Sequence, residues 1–112
     1  MPLVYVAGPY TSPDPVENTH RVIIEATELY ETGVLVPVVP HLTLLWHLVA
    51  PRPLDFWYAY DLHILRRCDG VYRLEGSSTG ADKEVAEAER LTIPVFRDKQ
   101  KLLAWATTWH SA

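Results

Sequence analysis

At 112 residues, nearly half of them apolar, the chain can build one buried core but not two, so a single domain over residues 1–112 is expected. A net charge of −4, with Lys and Arg scattered rather than striped, excludes a protein that tracks a nucleic-acid polymer. The lone cysteine, Cys68, cannot form an internal disulfide, no apolar run reaches the roughly 18 to 20 residues that span a bilayer, and no signal-peptide pattern follows Met1; a cytoplasmic protein without a membrane partner is the expectation.

Leu3 to Ala7 is a β-branched and aromatic run closed by Gly8-Pro9, the pattern of a buried parallel strand with Tyr5 at its centre. Asp14-Pro15-Val16-Glu17 then carries a helix start: an aspartate cap, proline at the first position, and a glutamate placed for a capping box. That helix runs to Thr32 on a stripe of Val22, Ile23, Ala26, Leu29 and Tyr30, with Gly33 as its left-handed stop. Val34 to Val38 is the second strand, and Pro37 places it at a sheet edge because proline cannot donate to a neighbouring ladder. Val39 to Pro53, rich in Pro, His and Trp, reads as a long irregular connection that can hold one helical turn around Leu44 to Leu48.

Leu54 to Arg67 is a second amphipathic helix, with Leu54, Trp57, Asp61, Ile64, Leu65 and Cys68 on one face. Asp61 is anomalous there. Burying a lone carboxylate costs several kcal/mol, so it either turns to the stripe's edge to meet water or Arg66, or opens onto a cavity. Gly70 to Leu74 is the third strand, Gly80 to Arg90 a third helix, Ile93 to Phe96 a short fourth strand, and Asp98 to Trp109 the last helix. In that last helix Leu102, Trp105, Ala106 and Trp109 form a packing face toward the sheet or another subunit.

This alternation implies right-handed crossovers and an α/β fold: a flavodoxin-like three-layer sandwich with a parallel sheet of four to five strands, order 2-1-3-4, and helices on both faces. Its ligand crevice lies beyond the carboxyl ends of strands one and three, where the strand order reverses. That crevice gathers Gly8, Pro9 and Tyr10, the Ser77 to Gly80 turn and the helix after it, and there Tyr5, Asp61 and Glu84 can converge. The turn exposes backbone N–H groups at a helix start, and Glu84 has only Gly80, Ala81 and Ala88 as its i−4, i−3 and i+4 neighbours. Its place near the helix N-terminus favours the ionised form, whereas a less polar pocket would raise the pKa of Asp61. His41 follows the second strand's carboxyl end and is placed to line the pocket. His41 and His47 lack partners for a zinc set, and no dinucleotide or Walker glycine loop follows strand one, so neither metal nor cofactor is expected.

Tyr5-Val6-Ala7-Gly8-Pro9, then Trp57 with Asp61 four residues on, Cys68-Asp69, and Ser78-Thr79-Gly80 with Glu84 and Ala88 form an ordered set. This set resembles the nucleoside 2-deoxyribosyltransferase-like superfamily, and within it the small, often phage-associated domains. The resemblance runs from Leu3 to about Phe96. It implies that Glu84 is the nucleophile at the anomeric carbon, that Asp61 manages the proton on the departing base, and that Tyr5 orients the glutamate. Ser78 and Gly80, six and four residues before Glu84, are similar to the pattern of the deoxynucleoside 5′-phosphate N-hydrolases; transferases often carry aspartate where Ser78 stands. The loop after Gly8-Pro9 lacks the glycine-and-arginine run with which those hydrolases hold a phosphate.

The expected partner is accordingly a small-molecule nucleoside or nucleotide. Gly8, Pro9, Tyr10, Ser78, Gly80, His41 and Trp57 are the candidate binding residues, and Trp57, Trp46 and Tyr10 could stack on a base. Cleavage or exchange of an N-glycosidic bond competes with a non-catalytic nucleotide-binding module in the same crevice, and with an interaction domain built on the aromatic last helix. Four tryptophans in so small a chain also point to a homo-oligomer.

Overall fold

The structure, a computed structural model, describes residues 1–110. A parallel sheet of four strands in the order 2-1-3-4 is built from β1 (Leu3–Ala7), β2 (Val36–Val38), β3 (Gly70–Arg73) and β4 (Val95–Phe96). Five helices connect or follow them: α1 (Pro15–Glu31), α2 (Thr43–Val49), α3 (Leu54–Leu65), α4 (Thr79–Arg90) and α5 (Lys99–Thr108).

The period of two along β1 decides which helix meets which face. Val4 and Val6 pack with Val22 and Leu29 of α1 and with Leu102 and Ala106 of α5. Tyr5 and Ala7 point the other way, into a second cluster with Leu65 of α3 and Ala81 and Ala88 of α4. Burial on both faces explains why β1 is a continuous apolar run rather than an alternating one.

Local chemistry sets the helix ends. Asp14 Oδ2 accepts the Glu17 N–H at 2.9 Å with Pro15 in the first turn, so Glu17 contributes its backbone to the cap, and Gly33 follows α1 at φ +75°. Ser78 Oγ caps α4 by accepting the Ala81 N–H at 3.1 Å, and Asp98 caps α5 through the Lys101 N–H at 3.0 Å. Pro37 lies on the edge strand, opposite Val4.

The connection from Val39 to Pro53 is more ordered than its composition suggests. A 3₁₀ turn, Pro40–Leu42, leads straight into the seven-residue α2. No side chain caps α2 and none of its residues is buried, so neither a start signal nor an inward stripe announces it. Strand β2 is also shorter than expected, starting at Val36.

Helix α5 packs on the sheet. A Cβ on Gly70 would sit 2.8 Å from Trp105 Cη2, and the same ring lies 5.1 Å from that of Phe96. Gly70→Ala is therefore expected to destabilise the protein by about 1–3 kcal/mol through overpacking, read as a lower denaturation midpoint with an unchanged m-value. No helix among the described residues is long and apolar enough to cross a membrane.

Candidate active site

Two loops meet beyond the carboxyl ends of β1 and β3. Gly76 sits at φ +120°, and a Cβ there would lie 2.6 Å from Pro9 Cγ, so only glycine lets the turn after β3 close against the Gly8-Pro9 loop. His41 supports that loop from behind. It is buried, its ring lies edge-on to Tyr10 at 5.7 Å, and its Nε2–H donates to the Pro9 carbonyl at 2.8 Å, because a carbonyl can only accept. Burial pushes the His41 pKa down, so the ring is neutral, and its Nδ1 has no partner.

Beneath the loops the Tyr5 hydroxyl donates to Glu84 Oε2, linking the centre of β1 to the second turn of α4, with both residues buried. Burial, then the charges of Glu84 and Asp61, push the phenol far above its usual pKa, so it remains a donor. Burial pushes the Glu84 carboxyl up to about 7, opposed by the Tyr5 hydroxyl and then by Arg73. The pull toward the ionised form expected from the helix N-terminus is thus outweighed by desolvation, and near neutral pH both forms are populated.

Asp61 projects from α3 into the same region. Its Oδ1 is buried without a hydrogen-bond partner, and burial, then the Glu84 charge, push its carboxyl up to about 8. Arg66, the candidate partner for Asp61, instead ion-pairs with Glu87 at 2.8 Å. Of the two readings of the anomalous acid, the opening onto a cavity holds. That cavity measures about 220 Å³ and has Tyr5 and Asp61 on its wall, with Val38, Pro40, Trp46 and Tyr60 among its apolar and aromatic lining.

Glu84 does not itself line the cavity; it adjoins it through its hydrogen bond with Tyr5, which does. Gly8, Pro9, Tyr10, His41, Ser78, Gly80 and Trp57 do not line it either. Gly8 and Pro9 are buried in the loop junction, Ser78 serves as the α4 cap, and open space adjoins Gly80 where a side chain would project. Trp57 is buried in an aromatic cluster with Trp46, Phe56 and Tyr60, its Nε1–H donating to His47 Nδ1 at 2.8 Å, so it buttresses the cavity wall. Tyr60, Thr43 and Arg73 are the neighbours that the residue pattern did not single out. Arg73 carries a signal, a charged residue ending a central parallel strand; Tyr60 carries none, being one aromatic among several in α3.

Larger hollows lie elsewhere. One of about 470 Å³ follows β4, and one of about 430 Å³ lies between α1 and the ends of β3 and β4; neither has Tyr5, Asp61 or Glu84 on its walls. The smaller cavity is the candidate site, because it alone among these has on its wall a carboxyl with an oxygen buried and unpartnered. No group of three or more metal-ligating side chains occurs among the described residues.

No family model matches the chain, and no curated protein sequence matches it. Among solved structures it is similar to the 2-deoxyribosyltransferase of the psychrotolerant bacterium Bacillus psychrosaccharolyticus, with a TM-score of 0.58 and 16% sequence identity over 83% of this chain and 69% of that one. The likeness is one of fold: the two chains share the α/β architecture.

Proposed function

We propose that this protein cleaves or exchanges the N-glycosidic bond of a nucleoside or nucleotide, deoxy or ribo, with Glu84 as nucleophile, Asp61 as acid and Tyr5 orienting the glutamate. The observation that carries the reading is a pair of acids at the switch point of the sheet: Glu84, buried and held by the Tyr5 hydroxyl, and Asp61, unpartnered on the cavity wall, with carboxyls that burial pushes up to about 7 and about 8. The 2-deoxyribosyltransferase similarity in fold supports it.

In this mechanism the sugar lies at the Tyr5–Glu84 end and the base in the aromatic-lined cavity. The Glu84 carboxylate attacks the anomeric carbon as the C–N bond breaks. The bonding electrons leave with the base, which takes the Asp61 proton, and the oxocarbenium-like charge is held by the glutamate. Water, or a second base, then attacks the same carbon and frees Glu84, giving a hydrolase or a transferase.

The order of the two pKa values suits these roles. Glu84 is active when ionised, above about 7, and Asp61 when protonated, below about 8, so kcat/KM is expected to be bell-shaped with its maximum between those values. A profile that stays flat from about pH 6 to 9 would reject the assignment.

The deciding experiment is nucleobase release from a panel of deoxy- and ribonucleosides and their monophosphates, alone and with a second base as acceptor. Release supports the enzyme, and its dependence on the acceptor separates transfer from hydrolysis. Tight binding without turnover supports a nucleotide sensor, and neither result returns the protein to an interaction domain.

Self-association belongs to the same proposal, but its surface moves. Leu102 and Ala106 of α5 are core residues. The exposed apolar side chains cluster instead between Leu42 and Phe56, where Leu45 is 71% and Val49 79% exposed. A dimer or larger species is expected in sedimentation at micromolar concentration, weakened by Leu45→Glu with Val49→Glu; a monomer at every concentration would remove this part of the proposal.

A further inference from the structure

Strand β3 lies inside the sheet between β1 and β4, yet it ends in Arg73, which is only 5% exposed. In register, Arg73 pairs with Ala7 and Val71 with Tyr5. Side chains two apart on a strand share a face, so Arg73 lies on the Val71 face, the one covered by α3 and α4. Its guanidinium donates to the Leu74 carbonyl, to the Gly76 carbonyl at 2.8 Å and to Asp82 Oδ1 at 3.1 Å. All three acceptors belong to the stretch that turns out of β3 and enters α4.

These partners fix the guanidinium without neutralising it. Two are carbonyls with no net charge, and the third, Asp82, has a side chain 66% exposed, so its charge is screened by solvent. The Arg73 Nε is buried and has no partner at all. A buried cation held this way favours negative charge in its neighbourhood. The buried acid on the element above it is Glu84.

We propose that Arg73 is a positioning residue for Glu84: it clamps the turn from Leu74 to Gly76 against α4, and so sets its buried guanidinium on the sheet face against which the Glu84 carboxyl packs. Tyr5 on β1 and Asp61 and Tyr58 on α3 are the other titratable groups around that carboxyl. Tyr5 and Arg73 pull its pKa down; burial pushes it up. Lowering a carboxyl pKa near an arginine is ordinary electrostatics, so the inference rests on the proposed function only for its catalytic consequence.

The test is direct titration of the Glu84 carboxyl carbon by NMR in the wild-type protein and in the Arg73→Met, Arg73→Gln and Arg73→Lys variants. Both neutral variants are expected to raise the Glu84 midpoint by about one pH unit or more, and lysine to hold it within about half a unit while the Gly76 to Ala81 amides exchange faster. A midpoint unmoved in the neutral variants would overturn the inference. Should neither of them fold, the lysine variant decides: a midpoint that rises by a full unit, or amide exchange that does not change, overturns it. Where nucleobase release is measurable, the acid limb of the kcat/KM profile moves with the NMR midpoint. A midpoint that moves in a protein that releases no base leaves the role of Arg73 standing and removes the N-glycosidic reading.

Discussion

Glu84→Gln is expected to lower nucleobase release by about ten-thousandfold or more, because the substitution removes the nucleophile while keeping the shape of the side chain. Glutamine can still accept the Tyr5 hydroxyl bond through its amide oxygen, so the β1–α4 link survives and the fold should be retained. Substrate affinity should therefore persist, and the loss should fall on kcat. Tyr5→Phe makes the complementary case. It leaves the carboxylate in place but removes a donor that pulls the Glu84 pKa down, so the acid limb of the rate profile should move above about 7 and activity at neutral pH should drop tenfold or so. The measurement is base release under single-turnover conditions, with mass spectrometry for a sugar ester on Glu84. Wild-type release that survives in Glu84→Gln would transfer the chemistry to another group and leave the glutamate as a structural acid.

How much of this site could be read in advance depends on whether a residue's role is local. Leu3 to Ala7 was legible as a strand because a two-sided burial leaves a continuous apolar run, and Asp14-Pro15 fixed the start of α1 because the cap needs only the next three residues. Asp61 was visible as an acid in an apolar stripe, and the structure gives the reason: its Oδ1 has no protein partner. Helix α2 was legible only as a turn around Leu44 to Leu48, and its full extent was not, since it has no side-chain cap and buries none of its own residues. The division of labour among the aromatics was equally hidden. Trp57 and Trp46 look alike in sequence, but one is buried behind the other, and only Trp46 faces the cavity. Arg73 stands out in sequence only as a charge ending a strand, and what it holds is hidden because its partners lie in a turn and on a helix residue nine positions away.

Asp61→Asn should separate stability from activity. The carboxyl moves from an ordinary value of 3.8 to about 8 in the fold, so between these values the native state keeps a proton that the unfolded chain releases. The wild-type protein therefore loses stability as pH rises through this window, by up to about 1.4 kcal/mol per unit from this group, and the loss levels off above about 8. Glu84, raised from 4.5 to about 7, adds a contribution of the same sign that both proteins share. Asparagine cannot ionise, so the variant should gain on the wild type as pH rises, reaching about 5 kcal/mol near pH 8. The protonated acid and the amide both leave the hydrogen bond at Oδ1 unmet, so that penalty cancels between them. Near pH 4 the two should be almost equally stable. Denaturant unfolding across this range measures the gap directly, and a gap independent of pH would mean that Asp61 is fully solvated rather than desolvated on the cavity wall. The same variant should lose about a hundredfold to ten-thousandfold in base release, because asparagine has no proton to give the leaving group. A more stable protein with a slower reaction is the signature of an acid retained for chemistry at a cost to the fold.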